Sequence, residues 1–156
     1  FYTRGMSFID MAYLKKSDLK NGTITYRRRK TGQQLSVKWE KCMEDIIAKY
    51  RENTATRYLL PIITNPCSDE RTQYRNAICR INVALKEVVG LAGLNIPLTM
   101  HVARHCWASV AKSKNIPLSV ISEGMGHDSE ETTRIYLASL DTSVVDKANS
   151  LILKDF

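Results

Sequence analysis

Long apolar runs are missing from this sequence. Nothing in the 156 residues approaches the ~20 consecutive apolar positions of a bilayer-spanning helix, and no signal-peptide pattern opens the chain, so no membrane partner is expected. Cysteine is scarce and irregularly placed. Cys42, Cys67, Cys79 and Cys106 show no CxxC spacing, which argues against a zinc ribbon or a disulfide scaffold and fits reduced thiols in a cytoplasm. Internal repeats and low-complexity tracts are absent too, which argues against solenoids and disordered linkers. Acidic residues are the minority, 16 against 23 Lys and Arg, and the net charge of +7 leads us to expect a polyanionic partner, nucleic acid first. An initiator Met is also lacking. The opening Phe1-Tyr2-Thr3-Arg4-Gly5-Met6 leads us to expect a domain cut from a longer protein, with residues 1–156 as one domain. With 44% of its residues hydrophobic, a chain of this length can bury a real core.

Periodicity gives the elements. Met6, Ile9, Met11, Tyr13 and Leu14 fall near helical spacing and predict a helix over about 6–16, with Asp10 and the Lys15-Lys16 pair toward water. Asn21-Gly22 signals a tight turn. Thr23 to Tyr26 and Leu35 to Trp39 are β-prone and flank Arg27-Arg28-Arg29-Lys30-Thr31-Gly32, which reads as a hairpin with a basic, solvated tip. Helices are predicted over 41–52 and from Arg71 to about Val89, the latter with Ile78, Ile81, Leu85 and Val88 inward. Others run from an N-cap at Thr99 to about Lys114, after Pro117, and from Asp128, where Asp128 and Glu131 are placed like a capping box. An amphipathic stretch from Thr142 to Leu153 follows. The fold class is therefore α+β, mainly α-helical, with a small antiparallel sheet.

His101, Arg104, His105, Gly126-His127 and Thr133-Arg134-Ile135-Tyr136 carry the chemistry. A His three residues before an Arg shares a helix face with it and can clamp a phosphate, although such pairs also arise on solvated surfaces. Tyr136 taken alone is most simply a half-buried core tyrosine, and Trp39 and Trp107 read as core or interface residues. Together these residues say more than they do singly. The intervals of 23 residues from Arg104 to His127 and 9 from His127 to Tyr136 resemble the tyrosine recombinase (phage integrase) family, with its H-x-x-R, G-H and nucleophilic Tyr. Residues His101 to Ser109 are similar to that family's H-x-x-R-H-[ST]-[FW]-A-[ST], and Met125 to Ser129 to its L-G-H-x-S.

The resemblance implies a tyrosine recombinase catalytic-domain fold and a set of roles. Tyr136 would attack the scissile phosphate and His101 would take its proton. Arg104 and His127 would hold the phosphate, and Lys30 in the hairpin's K-T-G turn would protonate the leaving 5′ oxygen. His105 takes a supporting place. The DNA partner is double-stranded, with Arg27, Arg28, Arg29 and Arg134 as backbone contacts, and no metal or other cofactor is implied. The resemblance extends to a homotetramer in which the C-terminal segment docks on a neighbour, and to accessory DNA-bending proteins.

One departure stands out. Where the family has its first arginine, in T-G-x-R-x-x-E, this chain reads Arg4-Gly5-Met6-Ser7-Phe8-Ile9-Asp10, with Ser7 in the arginine's place and Asp10 as the acid. That word resembles integrases of Bacteroides-type conjugative transposons. A Ser cannot supply a forked guanidinium, so the cation must come from elsewhere. Arg4 can supply it if the segment is helical; Arg27, Arg28 and Arg29 are the rivals. Three other readings compete: a type IB topoisomerase, a catalytically weakened DNA-binding module, and a zinc hydrolase using His101 and His105. The last lacks a Glu at Val102 and an evident third ligand.

Overall fold

The computed structural model describes residues 1–50 and 56–137. The side chain of Tyr136 and the amphipathic stretch expected over Thr142 to Leu153 lie outside the described residues.

The first helix, α1 (Phe8–Ala12), is much shorter than the periodicity predicted. Ser7 caps it: in extended conformation (φ −69°, ψ 150°) its Oγ accepts from the backbone N–H of Asp10 at 3.4 Å, fixing the start beyond Met6. Ahead of the cap, Arg4 and Gly5 both adopt left-handed φ of 56° and 67° in a turn over residues 2–5 closed by Gly5 N–H to Phe1 and Met6 N–H to Thr3. After α1 a single 3-10 turn, Lys16–Asp18, leads into β1 (Leu19–Lys20), a strand absent from the sequence reading. The Asn21-Gly22 turn joins it to β2 (Thr23–Arg27), which pairs antiparallel with β3 (Gln34–Lys38) in the order β1-β2-β3. Alternation is clean in both longer strands: Ile24, Tyr26, Leu35 and Val37 point inward.

Helices follow in α2 (Lys41–Ala48), α3 (Glu70–Leu91), α4 (Met100–Ser113), α5 (Leu118–Met125) and α6 (Glu130–Tyr136). Thr99 caps α4 as predicted, its hydroxyl accepting from Val102 N–H. The cap of α6 is Ser129 rather than Asp128. Ser129 is the residue in extended backbone whose short hydroxyl reaches Thr132 N–H, and Glu131 instead pairs with Arg134 on the surface. On α3, Val88 is exposed, contrary to the inward face assigned to it; Ala77 is the helix's buried residue.

Two apolar clusters result. One joins the sheet to the N-terminal segment and α2 through Met6, Leu14, Ile24, Tyr26, Leu35, Val37 and Met43. The other packs α4 on α5 through Ala108, Ile121, Met125 and Leu137, with Trp107 half-buried against it. The polar residues of interest lie where these two clusters meet. No helix among the described residues is long and apolar enough to cross a membrane.

Candidate functional site

Arg104 is the bridge between the clusters. Only 6% exposed, its guanidinium donates from Nη1 to the carbonyl of Gly5 and from Nη2 to that of Met125, each at 2.6 Å. A planar guanidinium presents its donors in a rigid fork, so serving these two carbonyls fixes the separation of the two segments as well as satisfying them. Gly5 permits the approach: a Cβ built there would stand 3.2 Å from Arg104 Cα, and φ is +67°. On the same helix His101 precedes Arg104 by one turn. Both line a cleft with Ser7, Phe8, Tyr74 and Ile78, so the serine that replaces the expected arginine does face these two residues. His105 stands edge-on to His101, ring centroids 4.7 Å apart, and its pKa is lowered by burial, then by His101 and Arg104.

Arg28 overturns the reading of the arginine run as a solvated patch. It is 7% exposed, and Nη1 donates to the carbonyl of Gly126, 98 residues away. Its phase explains the burial: Ile24 and Tyr26 point inward, and Arg28 continues that period of two just past the end of β2. Asp10, placed toward water by periodicity, is also buried at 4%. Its carboxylate accepts from Ser7 Oγ at 2.6 Å and from Arg29 N–H at 2.8 Å, and lies 3.8 Å from Arg28 Nε. That last distance is an ion pair without a hydrogen bond, and among the described residues Nε is a buried donor with no hydrogen-bond partner. Asp10 on α1 thus meets the hairpin through the backbone of Arg29 and the side chain of Arg28.

The turn at Gly126 receives both arginines. Gly126 ends α5 in left-handed conformation (φ 64°), with Gly126 N–H donating to Glu123 and His127 N–H to Ser122. Its surroundings exclude a side chain: a Cβ would stand 2.7 Å from Arg28 Cδ and 2.8 Å from Leu35 Cδ1. His127 follows directly. Its Nδ1 lies 2.7 Å from Thr133 Oγ1, and its pKa is lowered to about 4, by burial first and then by Arg104, Arg28 and Lys30. Lys30, exposed in the tip closed by the Gly32 N–H to Arg28 bond, is thus near enough for its charge to be felt at His127.

Tyr26 was not singled out by sequence. Its phenol is buried beside Asp10, and its pKa is raised to about 12 by burial and then by Asp10, with Arg104, Arg28 and Arg4 pulling the other way. Strand alternation was the available signal, since it places Tyr26 on the inward face that leads to Arg28.

The remaining arginines divide. Arg4 is exposed and precedes the cap, so the helical face it was expected to share with Ser7 does not exist. Its side chain lies near Gly124 instead. Arg29 stacks its guanidinium 3.8 Å over the Tyr13 ring, Arg27 donates to the Gly32 carbonyl at 3.3 Å, and Arg134 is exposed beside Glu131. Among the described residues no three His, Cys, Asp or Glu side chains gather to hold a metal. The structure therefore brings Arg104, His101, Ser7, Asp10, Arg28, His127 and Lys30 into one region, with α6 held to it through Thr133.

The phage integrase family model matches residues 2–143. Among solved structures, the chain is similar to XerA recombinase (22% identity, 95% of this chain and 53% of that one, TM-score 0.68). It is also similar to XerH site-specific recombinase bound to palindromic difH substrate in a post-cleavage complex (21%, 96% and 42%, 0.66). The catalytic domain of bacteriophage HP1 integrase is another (19%, 95% and 76%, 0.51). The chain spans about half the length of the first of these. No curated protein matches it.

Proposed function

Because the chain belongs to the phage integrase family, we propose that it is the catalytic domain of a site-specific recombinase, cleaving and rejoining double-stranded DNA through a 3′-phosphotyrosyl link at Tyr136. The observation that carries this reading is the convergence of two buried guanidiniums on consecutive carbonyls, Arg104 on Met125 and Arg28 on Gly126, immediately before His127. Attack on a phosphodiester piles negative charge on the non-bridging oxygens, and fixed donors aimed there are the main remedy. Each cation is anchored through a neutral carbonyl, and Asp10 lies 3.8 Å from Arg28 Nε. Arg28 takes the part of the arginine missing at Ser7, in preference to Arg4, because it is buried beside Asp10 and donates at the His127 turn.

In this mechanism the Tyr136 oxygen attacks phosphorus, His101 accepts the phenolic proton, and the bond to the 5′ oxygen breaks as Lys30 protonates that oxygen. His127, kept neutral, donates to a non-bridging oxygen. The phosphotyrosyl bond conserves the energy of the one broken, so a 5′ hydroxyl of a new partner strand reverses the steps without ATP. The Arg4 to Asp10 word supports a place among integrases of conjugative transposons. A tetrameric assembly on DNA, docking of the C-terminal segment on a neighbour, and accessory DNA-bending proteins belong to the same reading.

A nicked suicide substrate tests it. The chain should form a covalent protein–DNA complex that Tyr136→Phe cannot form. DNA binding without a covalent complex would mark a binding module, and relaxation of supercoils without strand exchange a topoisomerase.

A further inference from the structure

Thr133 lies on α6 one turn before Tyr136 and is fully buried. Its hydroxyl faces Nδ1 of His127 at 2.7 Å, and either atom can carry the proton that is shared. The surroundings decide which does. Among the described residues Thr133 Oγ1 has no other hydrogen-bond partner. The carbonyl one turn back on the helix, that of Ser129, accepts from Ser122 Oγ at 3.3 Å and makes no hydrogen bond with the Thr133 hydroxyl. Were Nδ1 protonated, the hydroxyl would only accept, and its own hydrogen would be buried without an acceptor. Such an orphan donor costs about 1–3 kcal/mol. With the lone pair on Nδ1, both atoms are satisfied.

We propose that Thr133 is a positioning residue: its hydroxyl donates to Nδ1, holding His127 as the tautomer protonated on Nε2 and fastening that ring to the helix that carries Tyr136. The second ring nitrogen then presents an N–H, the form that can donate to a phosphate oxygen; the other tautomer would set a lone pair against an anion. The low pKa of His127 agrees, since a neutral ring must be one tautomer or the other at physiological pH. The bond also makes a mechanical link. Any shift of α6 that moves the nucleophile moves the phosphate donor with it. The structural part stands on the hydrogen bond alone; its value for catalysis rests on the recombinase reading above.

The test uses protein labelled with 15N-histidine, with His127 resonances assigned from a His127→Asn variant. Long-range 1H–15N correlations report which nitrogen carries the proton. The wild type and Thr133→Ser should show Nε2–H, whereas Thr133→Val, which keeps the shape and removes the hydroxyl, should show a changed or mixed pattern. Suicide-substrate cleavage by Thr133→Val should fall about tenfold or more, as for other groups that fix a histidine's tautomer, with Thr133→Ser close to wild type. A proton on Nδ1 in the wild type, or an unchanged pattern in Thr133→Val, overturns the proposal. If Thr133→Val does not fold, the wild-type and Thr133→Ser spectra still decide. Nε2–H in a protein that never forms a covalent complex would sink the recombinase reading and leave the role of Thr133 intact.

Discussion

Arg104 and Arg28, 76 positions apart in the chain, donate to the carbonyls of neighbouring residues, Met125 and Gly126. Each cation arrives from a different element, α4 and the end of β2, and the turn they meet is the one that sets His127. The relative placement of helices and hairpin is therefore read out at a single peptide turn.

If Arg28 supplies the cation missing at Ser7, Arg28→Ala should lower cleavage by about 10²–10³, the usual cost of one preorganised donor. Ser7→Arg added to Arg28→Ala should recover part of that loss, because Ser7 lines the cleft with His101 and Arg104. Single-turnover cleavage of a suicide substrate measures both, and Arg4→Ala serves as the comparison. A larger loss with Arg4→Ala than with Arg28→Ala would assign the role to Arg4.

Gly126→Ala should destabilise the fold by at least the ~1–2 kcal/mol of a left-handed non-glycine residue. The new methyl would also displace Arg28 or Leu35. Urea unfolding measures the stability, and cleavage should drop further than the stability loss alone explains, since the hairpin bearing Lys30 must move. Activity at wild-type level would mean the hairpin need not dock on this turn.

His127 sets a pH dependence whose sign is fixed. Its folded pKa, about 4, is below the unfolded value of 6.5, so protonation favours the unfolded chain. The stability that goes with a neutral His127 is fully present above pH 6.5 and is lost as pH falls toward 4. His127→Asn, which cannot take up a proton, should flatten this part of the stability profile. In an NMR titration the His127 ring should hold its neutral shifts well below pH 6; a midpoint near 6.5 would contradict the geometry described.

The sequence by itself determined that the chain is mainly helical, the place of His101 and Arg104 one turn apart on α4, and the spacing of His127 and Tyr136 beyond them. Helical and strand periods are local properties, and a four-residue word on a helix carries its own geometry. Thr99 as a cap and the two strands flanking the basic hairpin tip were legible for the same reason. Asp10 and Arg28 were not. A charged residue read alone is assigned to water, because burying it is costly unless partners meet it, and those partners come from distant parts of the chain. The packing of α1 against the hairpin and the hairpin's approach to the left-handed Gly126 bring Asp10, Arg28 and the Gly126 carbonyl together. Only the tertiary structure could decide which arginine of Arg27-Arg28-Arg29 leaves the solvent, since that depends on the phase of β2 relative to a turn nearly a hundred residues away.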